Sequence, residues 1–137
     1  MKVIQHRDVR TVDLPPTFKL TDAELIVDAG SLTGIPAPPP NAPVVAVLDS
    51  GIASNHPVLA PAVGDAQSFT SNFPAQDGNG HGTAVAGLAL YGDVHACLTS
   101  GFVPRLRVLS GRVMDDAAQA DTEFIENRIT KAVDYFV

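Results

Sequence analysis

The chain has 137 residues, of which 45% are hydrophobic and 18% are charged, and its formal net charge is −6. This length is typical of one globular domain, and the scattered Lys and Arg residues argue against a nucleic-acid partner, because phosphate binding needs clustered positive charge. The single cysteine, Cys97, excludes an intramolecular disulfide and is interpreted as a small buried hydrophobic residue.

The first part of the chain carries no pattern that indicates chemistry. Residues 1–34 form a leader of mixed character, in which Thr21 and Glu24 have the capping-box spacing of a short helix, although the apolar residues that follow suit a strand equally well. Residues 35–43 are rich in proline and predict a stiff extended linker, with a ligand for a proline-recognition domain as the alternative. The role of the leader is open between a propeptide remnant, the tail of another domain and packing for the sheet.

The sequence predicts no membrane partner. Residues 1–8 lack the apolar core of a signal peptide, and no apolar run is long enough to span a bilayer. If Met1 is the natural start, the protein is therefore expected to be cytoplasmic.

A run of apolar residues, 44–48, ends at Asp49 and is followed by the turn-forming pair Ser50 and Gly51. Continuous Val, Ala and Leu predict a strand that is buried on both faces, as in a parallel sheet. Because open α/β sheets build their sites at the carboxyl ends of strands, Asp49 is the first candidate for a functional acid.

The rest of the chain alternates between predicted strands and helices. Residues 53–73 are predicted to be loop-rich with a short strand near 67–69, and residues 94–101 are predicted to be a loop. Residues 105–113 are a second strand candidate. Strand, helix, strand and helix in this order predict an α/β fold with a partial doubly wound parallel sheet.

Two helices are predicted. The first is predicted over residues 81–90, after a loop rich in glycine, with His81 at or just before its first turn. Its small side chains suit close packing on a sheet. The second runs from an N-cap at Asp121 to about residue 136, and Arg128 lies outside its apolar stripe. The stripe, predicted to be a core face, consists of Phe124, Ile125, Ile129, Ala132, Val133 and Phe136.

Asp49 and His81 make a coherent half of an acid–base site. A helix N-terminus carries partial positive charge and favours the neutral imidazole of His81, which is the form that a general base needs. A neighbouring carboxylate acts in the opposite direction, because it accepts a hydrogen bond from one ring nitrogen, selects the tautomer and stabilises the imidazolium. General-base assistance of this kind accelerates a reaction by roughly 10²- to 10⁴-fold.

Residues 45–52 read VAVLDSGI, and residues 77–87 read DGNGHGTAVAG. The first segment resembles the aspartate motif of the subtilisin-like serine proteases, peptidase family S8, and the second resembles the histidine motif of this family with its lead-in loop. Residues 55–59 (NHPVL) are similar to the His-Pro segment, and residues 101–113 to the Gly-Val-Ala-Pro loop and the strand after it. The resemblance implies that residues 44–137 are the N-terminal half of a three-layer α/β/α catalytic domain, truncated after its second main helix.

The resemblance further implies that Asp49 and His81 belong to the Asp-His-Ser triad of a serine endopeptidase, whose substrates are peptides or proteins. The family's serine lies in a later Gly-Thr-Ser-x-Ala motif, which is absent from this sequence, and its oxyanion asparagine also lies later. The chain is therefore predicted to be inactive alone, with self-association or a second chain completing the sheet. A non-catalytic, protein-binding module is the alternative. The serines outside such a motif are Ser31, Ser50, Ser54, Ser68, Ser71, Ser100 and Ser110.

No cofactor or metal is predicted. Asp77 and Asn79 partly imitate a calcium-binding loop, but Leu88 stands where that loop needs a bidentate Glu. Many members of the family bind calcium, yet the acid often found after the His-Pro pair is replaced here by apolar residues 58–59. The glycine-rich loop has neither a dinucleotide fingerprint nor the lysine of a P-loop. Two further histidines are expected at the surface, His56 and His95.

Overall fold

The computed structural model describes residues 32–115 and 124–137. Its elements in chain order are β1 (Val44–Asp49), a short 3₁₀ turn (Ala60–Ala62), β2 (Val63–Ser68), α1 (His81–Tyr91), α2 (Val94–Ser100), β3 (Arg107–Arg112) and α3 (Ile125–Phe136). The parallel sheet with its helices confirms the predicted α/β class. The predicted leader helix and the N-cap at Asp121 lie outside the described residues. None of the helices found in the described ranges has the length and apolar character needed to cross a bilayer.

The three strands run parallel in the order β1, β3, β2, so that β3 lies in the centre. Arg112, at the end of β3, is the register partner of Asp49 in β1 and of Ser68 in β2. The carboxyl ends of the three strands therefore meet at one edge of the sheet, which is where open α/β sheets build their sites.

The apolar run of β1 predicted a strand that is buried on both faces, and this prediction is wrong. Val47 and Asp49 are buried, whereas Val44 and Ala46 are exposed. β3 has a strand on each side and is buried over most of its length. A continuous apolar run shows that the side chains of a segment are apolar, but it does not show which strand is central. The central strand is determined by pairing with strands that lie far away in the sequence.

The core lies where α1 packs against the sheet. One cluster of buried apolar side chains joins β1, the segment after it, α1 and β3: Val47, Ile52, Leu59, Ala62, Ala86, Leu90 and Val108. The small residues of α1 permit a close approach, since Gly82 is buried and a Cβ added to it would overlap the carbonyl oxygen of Gly51. The first turn of α1 is thereby held against the end of β1.

Residues 94–101, predicted to be a loop, instead form the helix α2 and its C-cap. Asp93 is its N-cap and accepts a hydrogen bond from the backbone N–H of Ala96 at 2.9 Å, while Gly101 ends the helix with a φ of +88°. An acid before and a glycine after the segment were the available signals, but seven residues are too few for a clear helical period. Cys97 on this helix is half-buried rather than buried.

β2 begins at Val63, directly after the 3₁₀ turn, and is longer than the strand predicted near 67–69. It contains Gly64 and Asp65, which are poor strand formers, and its register with β3 shifts between Val63 and Asp65. Pairing with the central strand therefore outweighs local propensity in this segment.

The buried face of α3 is offset from the predicted apolar stripe. Arg128 and Ala132 have exposed fractions of 1% and 0%, whereas Phe124 is 75% exposed and Val133 is also exposed. Arg128 Nη1 donates a hydrogen bond to the carbonyl oxygen of Val113 at 3.3 Å, just beyond β3. The prediction that the whole stripe is a core face is therefore wrong, because the direction in which α3 meets the sheet, and not polarity alone, selects the buried side.

Candidate active site

The carboxylate of Asp49 contacts the imidazole of His81, with 2.8 Å between Asp49 Oδ1 and His81 Nδ1. Asp49 is the last residue of β1 and His81 is the first residue of α1. The Asp49 side chain is 10% exposed and that of His81 is 66% exposed. The pair combines a shielded acid with an accessible base, and the bond at Nδ1 leaves Nε2 as the ring nitrogen available to a reactant.

Backbone packing explains why two residues so far apart in sequence meet. Gly51 has a φ of +94°, and a Cβ at this position would overlap the carbonyl oxygen of Ala75. The N–H of Gly82 donates to Ser50 Oγ at 3.2 Å, so the turn after β1 is bonded to the first turn of α1. Because no side chain separates these segments, Asp49 and His81 lie within hydrogen-bond distance.

The loop before α1 is organised around the carboxylate of Asp77. Asp77 Oδ2 accepts hydrogen bonds from the N–H and the hydroxyl of Thr83 at 2.9 and 2.5 Å. Asp77 Oδ1 accepts from the N–H groups of Gly80 and Asn79 at 3.0 and 3.2 Å. Gly80, the N-cap of α1, has no side chain to cap the helix, so Asp77 satisfies backbone donors that the helix leaves open.

Partial burial acts to raise the pKa of the Asp77 carboxyl, but the hydrogen bonds from Thr83, Gly80 and Asn79 together outweigh it, and the pKa is lowered from 3.8. Asp77 therefore remains a carboxylate in its role as a helix cap. The hydrogen bonds that Asp77 accepts account for the presence of an acid in this loop, which partly resembles a calcium site. In the described residues, no group of three or more His, Cys, Asp or Glu side chains is placed to hold a metal ion.

Ser50 and Asn79 complete the connection between the strand end and the helix. Ser50 N–H donates to Asp49 Oδ1 at 2.7 Å, and Ser50 Oγ donates toward Asp77 Oδ1 and Asn79 Oδ1 at 3.1 and 3.2 Å. Asn79 Oδ1 also accepts the backbone N–H of His81 at 2.9 Å. Sequence reasoning missed the positioning roles of Ser50, Asp77, Asn79 and Thr83. The available signal was Asp and Asn among glycines immediately before a helix, which is typical of capping.

The hydrogen bond with Asp49 is the main cause that raises the pKa of His81 above 6.5, and the negative charge of Asp49 adds to it. Desolvation opposes the rise, and the charge of Asp77 supports it. The rise agrees with the influence predicted for a neighbouring carboxylate, which favours the imidazolium. His81 is held as a stronger base than a free imidazole, with a carboxylate ready to stabilise its protonated form.

The other two histidines in the described residues lie apart from this pair. His56 is half-buried and its Nδ1 accepts the N–H of Val58 at 3.3 Å, so it serves its own turn. His95 is exposed on α2. The structure thus brings together the two residues that the sequence singled out, Asp49 and His81, and places His56 and His95 outside the site.

The chain matches the family model described as the subtilase family, Peptidase_S8, over residues 41–135. It is 36% identical to thermitase of Thermoactinomyces vulgaris over 91 residues, which cover 66% of this chain and 33% of thermitase. It is 33% identical to a thermophilic serine proteinase of Bacillus sp. (strain AK1) over 91 residues, covering 66% of this chain and 23% of that protein. It is 36% identical to subtilisin E of Bacillus subtilis (strain 168) over 90 residues, which cover 65% of this chain and 23% of subtilisin E. The aligned part thus spans a third or less of the length of these relatives.

Proposed function

The chain belongs to the subtilase family, and on this premise we propose that Asp49 and His81 are the acid and the general base of a serine endopeptidase that hydrolyses peptide bonds. The observation that carries the proposal is the 2.8 Å contact between Asp49 Oδ1 and His81 Nδ1 at the carboxyl edge of the parallel sheet. The substrate class is peptides or proteins.

In this mechanism His81 Nε2 takes the proton of a serine hydroxyl while the serine oxygen attacks the scissile carbonyl carbon. Asp49 accepts the Nδ1–H bond, which keeps Nε2 unprotonated before the attack and stabilises the imidazolium after it. His81 then donates the proton to the leaving amine as the C–N bond breaks. It next takes a proton from the water that attacks the acyl-enzyme and returns this proton to the serine oxygen as the ester bond breaks. The raised pKa of His81 favours the first transfer, since it increases the affinity of the imidazole for the proton.

The proposed nucleophile is a serine in a Gly-Thr-Ser-x-Ala motif, which this sequence does not contain. The oxyanion donors are likewise assigned to residues outside it. The 137-residue chain is therefore expected to have no peptidase activity of its own. Efficient hydrolysis of a peptide substrate by this purified chain would contradict the assignment of the nucleophile.

A serine-directed fluorophosphonate tests the proposal on the chain extended by the sequence encoded after Val137. We expect the extended protein to be labelled at a serine of the motif, and the His81→Ala variant to be labelled far more slowly, because the hydroxyl loses its base. A correctly folded extended protein that resists labelling would reject the enzymatic function.

Binding without catalysis is the second candidate function. Ser50, the serine next to Asp49, does not supply a nucleophile, because its hydroxyl is engaged by Asp77, Asn79 and Gly82 within the loop. Such a module would present the same fold to a protein partner and would never acquire a nucleophile. A continuation that encodes no serine motif would select this alternative over the endopeptidase.

A further inference from the structure

A buried arginine lies at the edge of the sheet that carries the candidate site. Arg112 ends β3, is 1% exposed, and is the register partner of Asp49. The mechanism proposed above makes no use of it. Burial of a guanidinium is costly unless its donors are satisfied, so its contacts indicate what it does.

The guanidinium joins two segments of the chain. Arg112 Nη1 donates to the carbonyl oxygen of Gln76 at 2.6 Å and to that of Pro74 at 3.4 Å, and Nε donates to the carbonyl oxygen of Met114 at 3.1 Å. The ring of Phe73 covers the guanidinium, with 4.5 Å from Cζ to the ring centroid. Arg112 thus links the loop of residues 73–76 to the end of β3.

Both of these segments lead directly to the site. Gln76 immediately precedes Asp77, whose carboxylate caps α1 and thereby fixes the start of the helix at His81. On the other side, the N–H groups of Val113 and Met114 donate to the carbonyl oxygen of Asp49 at 2.8 and 3.2 Å. Arg112 therefore adds a side-chain link between the loop that leads to the base and the strand end that presents the acid, beside the contacts made by Ser50.

We propose that Arg112 is a positioning residue, which holds the loop of residues 73–76 and so maintains the hydrogen bond between Asp49 and His81. The consequence for hydrolysis rests on the proposed function, whereas the effect on the pair itself does not. Arginine suits this role better than lysine, because its planar fork donates in several fixed directions at once, and a lysine ammonium at the same place reaches fewer of the three carbonyl oxygens.

The test is the pH titration of the His81 imidazole, followed by NMR in the 137-residue chain, with His81→Asn to assign the signal. Within residues 32–115 and 124–137, the charged groups that act on His81 are the carboxylates of Asp49, from β1, and Asp77, from the loop. Asp49→Asn defines the full effect of losing the pair. We expect Arg112→Met to lower the titration midpoint by a substantial fraction of that change, and Arg112→Lys to lower it less.

Arg128→Met is the matched control, because Arg128 is equally buried and its Nη1 donates to the carbonyl oxygen of Val113, just beyond β3. We expect it to leave the His81 midpoint unchanged, although it lowers stability. An unchanged midpoint in folded Arg112→Met would overturn the proposal, and so would an equal shift in Arg128→Met, since that would indicate general loosening.

If Arg112→Met does not fold, Phe73→Leu decides the question, because it removes the ring that covers the guanidinium and retains the arginine. A lowered His81 midpoint in this variant supports the proposal, and an unchanged one overturns it. These titrations need no nucleophile. A failure to label the extended protein would therefore reject the enzymatic function without affecting this result. An unchanged His81 midpoint in the Arg112 variants would reject the positioning role without affecting the enzymatic function.

Discussion

Gly82 and Gly51 meet backbone to backbone where α1 approaches the end of β1. A Cβ on Gly82 would overlap the carbonyl oxygen of Gly51 and would lie 3.2 Å from the Cβ of Asp49. This contact occurs one residue after His81 and two residues after Asp49. The distance between the acid and the base is therefore set by a position that tolerates no side chain.

Gly82→Ala is expected to destabilise the chain, because the new methyl group meets backbone that cannot move aside. Overpacking of this kind costs about 1–3 kcal/mol. Gly87→Ala, on the same helix, is the matched control: a Cβ there meets nothing within 4 Å, and replacing an unstrained helical glycine stabilises by about 0.4–1 kcal/mol. Urea unfolding of both variants measures the change in the free energy of unfolding. A change of the same sign in the two variants would contradict this account.

Asp77→Ala is expected to lower the free energy of unfolding by about 1–2 kcal/mol at pH 7, as for the loss of a strong helix cap. The pKa of Asp77 is lowered in the folded chain from 3.8, so its contribution is present above about pH 3.8 and is lost as the pH falls through the folded value. The difference from the wild type should therefore shrink in acid. Asp93→Ala, which removes the cap of α2, should leave the His81 titration unchanged, whereas Asp77→Ala should alter it.

Asp49→Asn is expected to lower the pKa of His81 toward 6.5, since it removes the hydrogen bond and the charge that raise it. A raised histidine pKa stabilises the folded state below the unfolded value of about 6.5, and this contribution is lost as the pH rises through the folded value. The variant should thus lose stability selectively at low pH. NMR titration of His81 measures the shift, with Asp93→Asn on α2 as the control, and an unaltered His81 midpoint in Asp49→Asn would disprove the charge coupling.

α3 and its N-cap residue expose several apolar side chains, among them Phe124, Ile129 and Val133. Exposed apolar patches promote association, so we expect the chain to self-associate with increasing concentration in sedimentation velocity. Val133→Glu should reduce this association. Thr130→Glu adds the same charge at an exposed polar position of the helix and should reduce it less. Monomeric behaviour of the unmodified chain over a wide concentration range would refute the prediction.

The local sequence was sufficient to single out Asp49 and His81 and the elements that carry them. An acid at the end of an apolar run and a histidine at the start of a small-residue helix were recognisable as a carboxylate–imidazole pair, and the structure brings the two side chains together. The α/β class followed from the alternation of strands and helices, and the structure confirms it. The sequence shows Asp77 as a polar residue before a helix, but it does not predict the hydrogen bonds between Asp77 and Thr83.

Only the tertiary structure decided which strand is central, which face of α3 is buried and what Arg112 contacts. Each depends on partners that the chain brings together across long separations, such as Gln76 and Arg112, which are 36 positions apart in the sequence. Polarity and periodicity describe a segment by its own side chains and carry no record of the register between strands. Arg112 therefore carried no distinguishing signal within the strand candidate of residues 105–113, and its bonds to the loop before Asp77 depend on the place of β3 beside β1.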